Sequence, residues 1–316
     1  MAEEIKSIWD LPREELFAGG HRLCAGCPVG VIMRLLTKVC GRNTIIVAAT
    51  GCMEVATTPY PYTSWGVPWI HVAFENTAAV ASGIEAALKA LARKGLIDSS
   101  RKVNVVAVAG DGGTFDIGLQ ALSGMLERGH KVMYVVYDNE AYMNTGIQRS
   151  GATPLGAWTT TTPVGKKMRG ELRPKKDLLG IARAHGVPYI AASTPSHPVD
   201  LARKFKRGLE AEGPSVIHVL SPCPTGWRFE SHLTMKVAKL AVETGMWINY
   251  EIEKGEMRVT TSVPRRRPVR EYLLIQGRFS HLTEEEIQTI QRIVDDNIEK
   301  VNKAVGREVI GPVVQR

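Results

Sequence analysis

A chain of 316 residues with 44% hydrophobic content can bury a substantial core, and its length fits one large domain or two ordinary ones. The longest apolar runs, VNVVAVA and VMYVV, fall far short of the roughly 20 residues that span a bilayer, which excludes a membrane helix. A formal charge of +8 invites a nucleic-acid reading, but the basic clusters at Arg265, Arg266, Arg267 and Arg270, and at Lys166, Lys167, Lys175 and Lys176, lack the interleaved aromatics of a single-strand surface; they suit an acidic protein partner or an ion-pair-rich protein instead.

In chain order, the N-terminus MAEEIKSIWDLPREE is acidic and polar where a secretory leader is basic and then apolar, so the cytoplasm is the expected location. Five cysteines in that reducing compartment are read as ligands, nucleophiles or core residues rather than disulfides. Helices are predicted near 28–40, 76–95, 116–129, 176–185, 197–211, 232–245 and 283–305. Near-continuous apolar runs predict strands at 44–50, 103–110, 131–138, 187–193 and 214–221, which suits strands covered on both faces. Alternation of the two element types predicts an α/β fold, an open and largely parallel sheet with helices on both faces. The final helix carries Ile287, Ile290, Ile293, Val294 and Ile298 at helical spacing after a cap-like Thr283. Residues 139–176 are rich in Gly, Thr, Ser and Asn and too long for an ordinary connection, the signature of a functional loop. Residues 252–280 read as an irregular basic arm. One domain over 1–316 is expected, with 1–27 as an N-terminal segment carrying cysteines and 250–316 as a C-terminal arm and helix.

GDGGTFDIG, at 110–118, follows a predicted buried strand and precedes a predicted helix, so its backbone N–H groups can meet an anion at a helix N-terminus. A tight turn needing glycine would look the same. Two features favour a ligand: the carboxylate of Asp111, which an all-backbone phosphate cradle does not need, and a second polar cluster, YDNEAYMNTG, at the end of the next strand. Both would lie at the carboxyl ends of parallel strands, where open α/β sheets bind ligands. The requirement fits Mg²⁺ on a diphosphate, with Asp111 giving a carboxylate, Asn139 an amide oxygen and the backbone near Ala141 a carbonyl. No GKS or GKT follows, and the run is not G-x-G-x-x-G, so ATP and NAD drop. For the cysteines, CAGC (Cys24, Cys27), TGCMEV (Cys52) and SPCPTGW (Cys223), spacing alone leaves zinc, a redox dithiol and an iron-sulfur cluster open. Cys40, in VIMRLLTKVC, reads as a small buried apolar residue.

A GDG followed some 30 residues later by Asn at the end of the next strand resembles the diphosphate-binding motif of thiamine-diphosphate enzymes. GDGGTFDIGLQALSGMLERGHKVMYVVYDNEAYMNTGIQRSGATPLGAWTTTTPVGKK, together with ATGCMEVATTPYPYTSWGVPWIHVAFENTAAVASGIEAA upstream, resembles the thiamine-diphosphate subunit of the 2-oxoacid:ferredoxin oxidoreductases, in particular the β subunit of pyruvate:ferredoxin oxidoreductase. The likeness runs from about His21 to Arg278. It implies a thiamine-diphosphate-binding fold of the diphosphate-binding type, with Asp111, Asn139 and Ala141 as Mg²⁺ ligands. Gly110, Gly112 and Thr145 would contact the phosphates, and Gly113 would belong to the same cofactor-binding turn. Asn144 would lie near the thiazolium and substrate, against the plainer reading of an Asn shaping a glycine turn. Thr50, Gly51 and Glu54 would face cofactor or cluster, or form a simple turn. The resemblance further implies one 4Fe-4S cluster on Cys24, Cys27, Cys52 and Cys223, which match the family's ligands position by position. Cys27 is followed by Pro28 where relatives commonly carry glycine, a residue tolerated at the start of a helix.

The same resemblance implies a division of labour. The glutamate that activates the aminopyrimidine lies on another subunit, so separate α, γ and ferredoxin-like δ subunits, or fusions of them, are expected, and the chain alone should be inactive. Ferredoxin, a 2-oxoacid and coenzyme A are the expected reactants, with pyruvate first; oxalate, 2-oxoglutarate, indolepyruvate and branched-chain 2-oxoacids are alternatives within the family. A non-redox thiamine lyase would leave four cysteines unexplained, and a zinc-stabilised basic binding protein would leave GDGG and Asn139 unexplained. Asp116 is expected to cap the helix that follows it.

Overall fold

The computed structural model describes residues 5–98, 100 and 102–314, so the first four residues of the acidic N-terminal stretch lie outside it. In chain order the elements are α1 (Val29–Cys40), β1 (Thr44–Ala49), α2 (Cys52–Thr57), β2 (Trp69–Val72), α3 (Thr77–Arg93), β3 (Asn104–Gly110), α4 (Leu119–Glu127), β4 (Met133–Asp138), α5 (Leu178–Ala184), β5 (Tyr189–Ser193), α6 (Pro198–Glu210), β6 (Ser215–Leu220), α7 (Pro224–Trp227), α8 (Thr234–Thr244), β7 (Tyr250–Glu253), β8 (Glu256–Val259), α9 (Val269–Leu274) and α10 (Glu284–Val305). Eight strands form one sheet in the order β2-β1-β3-β4-β6-β5-β7-β8. The first six run parallel and β7 and β8 close one edge antiparallel.

Strand side chains point alternately to the two faces, and the apolar runs feed two cores accordingly. Val105, Ala107 and Ala109 of β3 pack with Tyr134 and Val136 of β4 under α3, α4 and α8. Val106 and Val108 pack with Met133, Val135 and Tyr137 against Ile32 and Leu36 of α1 and Leu201 and Phe205 of α6. Both faces are therefore dry, which is why these strands read as unbroken apolar runs rather than alternating ones. Cys40 is buried in the second core, as expected of an apolar residue. Thr283 caps α10 reciprocally with Glu286, and Ile287, Ile290, Val294 and Ile298 are buried while Ile293 is exposed.

Three sequence expectations differ from the structure. The arm at 252–280 is not irregular: YEIE and EMRV form a hairpin on β5, turning at Lys254 (φ 51) and Gly255 (φ 88), and α9 follows. A two-residue turn with positive φ at both positions matches the twist of the flanking strands. β2 was hidden because it is four residues long and, being at the edge, half exposed. The helix expected from 116 begins at Leu119, after a π-helical turn over Gly112–Asp116. Such turns recur at functional sites because they re-aim backbone groups.

The arginine run is largely paired rather than free. Arg266 is buried, donating to the Gly311 carbonyl at 2.6 Å and pairing with Asp295 at 2.6 Å, while Arg267 pairs with Glu243 and Glu271 and Arg270 with Glu284. The charge there fastens the C-terminal segment instead of forming a free basic patch. Among the described residues no helix is long and apolar enough to cross a membrane.

Candidate cofactor site at the carboxyl edge of the sheet

The strand order reverses between β1 and β3: the chain leaves β1 toward β2 and leaves β3 toward β4. A crevice opens at such a switch point, outside the carboxyl ends of the strands. A cavity of about 250 Å³ sits there, lined by Thr50, Gly51 and Cys52 after β1, Gly110, Asp111 and Gly112 after β3, and the Asn139–Thr145 loop after β4. Phe74 and Tyr137 complete its wall. Gly112 is required by a close approach, since a Cβ there would stand 2.8 Å from the Tyr142 ring. Nine of the eleven sequence-predicted cofactor positions line this cavity. Gly113 instead packs under Phe74 inside the π-turn, and Glu54 lies behind the wall, 3.7 Å from His71, whose ring nitrogen is 2.6 Å from Thr50 Oγ1. The Thr145 hydroxyl donates to Gln148 Oε1 at 2.6 Å.

Three oxygen-bearing groups converge on one point. The end of the Asn139 amide lies 2.9 Å from the Ala141 carbonyl oxygen and 3.0 Å from Asp111 Oδ1. With the amide nitrogen turned inward both contacts are hydrogen bonds; with the oxygen inward, three acceptors face one another, an arrangement that a cation relieves. The residues thus fit a magnesium ion, with hard oxygen donors from a carboxylate, an amide and a backbone carbonyl.

Burial pushes the Asp111 carboxyl well above its usual range, and the neighbouring Asp138 adds to this. Ser150 Oγ, donating at 2.5 Å, works the other way. The charges behind Asp111 are matched among themselves. Lys175 Nζ lies 2.5 Å from Asp138 and 2.8 Å from Glu140, Arg278 is 2.7 Å from Glu140, and His218 Nε2 is 2.7 Å from Asp138. Burial works to raise the Asp138 pKa, but Lys175 and His218 outweigh it and hold the carboxyl well below the usual range. Burial keeps His218 below the ordinary imidazole value. Of the three buried carboxylates in this cluster, Asp111 is the one without a cationic partner.

The 139–176 loop is held across the site by these same groups: Ser150 bonds Asp111, Thr153 Oγ1 donates to the Glu140 carbonyl at 2.8 Å, and Lys175 returns to Asp138. Asp116 serves this loop and does not cap α4. It accepts from the Gly151 N–H at 2.8 Å and pairs with Lys176 at 3.1 Å, while Gly118 stands at the helix start.

The four predicted ligand cysteines meet in a second cavity of about 360 Å³, lined by Cys24, Cys27, Cys52 and Cys223. The C-x-x-C segment closes as a turn, with the Cys27 N–H on the Cys24 carbonyl at 3.0 Å and Gly26 at φ 75; its Gly26 carbonyl accepts from Thr234 Oγ1 at 2.7 Å. Pro28 takes the residue just before α1, where its lack of an N–H costs nothing. Cys52 opens α2 and Cys223 precedes α7, accepting from the Gly226 N–H at 3.4 Å. Burial pushes the Cys27 and Cys52 thiols up to about 12, with the other cysteines of the group adding to it, and burial raises Cys223 as well. Among the described residues no three Cys, His, Asp or Glu side chains stand close enough to share a single metal ion. Four thiols around one cavity are the donor set that an iron-sulfur cluster or a zinc ion would require. The two cavities have Cys52, Asn139, Met143 and Asn144 in common, so these four residues form the partition between them.

Sequence reasoning did not find Phe74, Tyr137, Tyr142, Ser150, Asp138, Lys175 or His218. Asp138 was within reach as the neighbour of Asn139 in YDNE; Lys175 and His218 carry no local signal, because only folding brings them to it.

Residues 49–219 match the family model for the C-terminal, cofactor-binding domain of thiamine pyrophosphate enzymes. The chain is 58% identical over 289 residues to the pyruvate synthase subunit PorB of Methanocaldococcus jannaschii, covering 92% of this chain and 97% of that one. It is 59% identical to the PorB of Methanothermobacter thermautotrophicus, covering 90% and 96%. With the ketoisovalerate oxidoreductase subunit VorB of Pyrococcus abyssi it shares 46% identity over 98% and 99% of the two chains. A solved 2-oxoglutarate:ferredoxin oxidoreductase from Magnetococcus marinus, with 2-oxoglutarate, coenzyme A and succinyl-CoA bound, has the same fold at TM-score 0.54 and 22% identity, covering 73% of this chain and 82% of that one. With a relative of this identity over nine-tenths of its length and a crevice built as the fold requires, the chain belongs to the 2-oxoacid:ferredoxin oxidoreductase β subunits, the thiamine-diphosphate-binding subunits of multi-subunit oxidoreductases.

Proposed function

We propose that this β subunit, folded as one thiamine-diphosphate-binding domain over 1–316, holds the Mg²⁺-diphosphate end of thiamine diphosphate and one 4Fe-4S cluster, and serves a cytoplasmic pyruvate:ferredoxin oxidoreductase that makes acetyl-CoA, CO₂ and reduced ferredoxin. The observation that carries the reading is the shared partition: an oxygen-lined cation position and a four-thiol cavity meet at Cys52, Asn139, Met143 and Asn144. When bound, thiamine diphosphate supplies a carbanion and electron sink for the 2-oxoacid, and the cluster a one-electron acceptor beside it. Asp111, Asn139 and the Ala141 carbonyl would hold Mg²⁺. Backbone at Gly110 and Gly112 would face the phosphates, the π-turn aiming its amides at them. Asn144 and Thr50 stand where a polar side chain can orient the reacting end. Tyr142, Phe74 and Tyr137 give the cavity an aromatic wall, a low-dielectric lining that strengthens charge contacts beside it.

Pyruvate is favoured over branched-chain substrates because the relatives at 58–59% identity are pyruvate synthase subunits and the ketoisovalerate subunit stands at 46%. The PorB relatives are named as subunits, consistent with α and γ subunits that complete the site, a ferredoxin-like δ subunit, and coenzyme A as acyl acceptor. Anaerobic purification of the complex tests the reading. About four irons beyond those of other subunits, bound thiamine diphosphate, and coenzyme A-dependent ferredoxin reduction fastest with pyruvate are expected. Zinc in place of iron, or a preference for another 2-oxoacid in a panel, would overturn the corresponding part.

A further inference from the structure

The distal cysteine and the metal loop are joined by a single short helix. α7 begins directly after Cys223 and ends at Trp227, and the Trp227 indole N–H donates to the Asn139 backbone carbonyl at 2.7 Å. Trp227 is 1% exposed, so no water competes for that bond. The Arg278 guanidinium lies 3.7 Å over its ring and, through its ion pair at 2.7 Å, ties the same ring to Glu140, the residue after Asn139. Beside Trp227 in the same helix the Gly226 N–H donates back to Cys223 Sγ at the helix start, and Gly226 lies so close to Met143 that a Cβ there would collide with the Met143 sulfur. Asn139 and Met143 both line the partition between the two cavities. α7 is therefore fixed at one end to a thiol and along its length to the loop that bears the cation-facing amide.

We propose that Trp227 is a positioning residue that couples the two cofactor sites: through its hydrogen bond to Asn139 it sets the amide toward the metal, and through α7 it transmits the state of that loop to Cys223. The inference rests on the cofactor assignment above. Coupling of this kind is reciprocal, so filling either site must be felt at the other. It also predicts that the indole N–H, not the bulk of the ring, carries the effect, because a phenyl ring in the same place still packs under Arg278.

The test uses Trp227→Phe in the assembled complex, purified without oxygen, with three readouts besides turnover: iron content, thiamine diphosphate retention as a function of free Mg²⁺, and the midpoint potential of the cluster assigned to this chain, with and without Mg²⁺ and thiamine diphosphate. Expected are unchanged iron, a roughly fivefold rise in the Mg²⁺ needed for half-retention, the worth of one buried hydrogen bond, and a cofactor-dependent shift in potential that is present in the wild type and at least halved in the variant. An unchanged Mg²⁺ requirement in an iron-replete variant overturns the proposal, as does an undiminished shift. If the variant fails to fold, the wild-type measurement decides, since a potential indifferent to cofactor binding is incompatible with coupling. A wild-type complex without iron or thiamine diphosphate in this subunit would instead sink the cofactor assignment, a distinct result.

Discussion

Lys175→Met removes the ammonium that Asp138 and Glu140 share, and its consequences can be worked from the buried charge count. Among the paired charges of the native cluster Lys175 and Arg278 stand against Asp138 and Glu140, a balance of 2 − 2 = 0, while burial holds the Asp111 carboxyl well above its usual range; the variant leaves 1 − 2 = −1 in nearly the same volume. Asp138 has no exposed surface and Glu140 is 5% exposed, so solvent cannot take up the difference. Removing one partner of a buried pair costs about 3–5 kcal/mol because the remaining charge is left desolvated. The pH dependence has a definite sign. Asp138 is held below its usual range, at about 2, by Lys175, so its contribution to stability is present above the ordinary carboxyl pKa and lost as pH falls from there through the lowered value. Without Lys175, burial drives that carboxyl upward and protonation relieves the strain, so the difference between variant and wild type is greatest near pH 7–8 and shrinks toward pH 5. Urea unfolding of the metal-free chain, followed by the fluorescence of its six tryptophans, measures this. A penalty below about 1 kcal/mol at pH 7.5, or one that grows on acidification, would refute the charge accounting.

The two cofactor positions should separate by mutation. Asp111→Ala is expected to abolish Mg²⁺-dependent retention of thiamine diphosphate with iron content preserved, and Cys223→Ala to do the reverse, both read by metal analysis and thiochrome assay of the purified complex. Gly112→Ala should leave the fold intact but force the Tyr142 ring into the cavity, weakening thiamine diphosphate binding by more than about tenfold in an equilibrium dialysis experiment. Arg266→Ala should cost about 2–4 kcal/mol in unfolding free energy, because it frees the Gly311 carbonyl and Asp295 together, and should increase proteolysis of the C-terminal segment.

The parts of the fold that were legible are those whose signal is local. Five strands covered on both faces announce themselves as apolar runs, and Thr283 with Glu286 marks the last helix by its cap chemistry. The edge elements were not legible in the same way. β2 buries only Val72 well, so WIHV carries no strand pattern, and the β7–β8 hairpin follows alternation around Lys254-Gly255, a signal that was available in YEIEKGEMRV but weak beside the apolar runs. The cofactor site divides likewise. Asp111, Asn139 and the cysteines sit in short motifs, whereas Lys175 and His218 reach Asp138 only across the finished sheet, 37 and 80 residues away in sequence. Asp116 was misjudged because a carboxylate three residues ahead of a helix looks like a cap; its partners Gly151 and Lys176 come from the long loop.

Most residues of the two cavities follow the carboxyl ends of β1, β3, β4 and β6, joined by the C-x-x-C turn before α1 and Phe74 after β2, and this gives the molecule two unlike poles. Among the described residues, the segments that lead toward the amino ends of the strands, 94–98 ahead of β3, 128–132 before β4 and 185–188 before β5, contribute nothing to either cavity. The stretch at 94–98 in particular is exposed and at the amino-end side of β3, opposite the edge that carries the chemistry. It is the natural place to attach a fluorophore, an affinity handle or a tether to an electrode, and a redox assembly labelled there should keep its cofactor chemistry untouched while reporting on it.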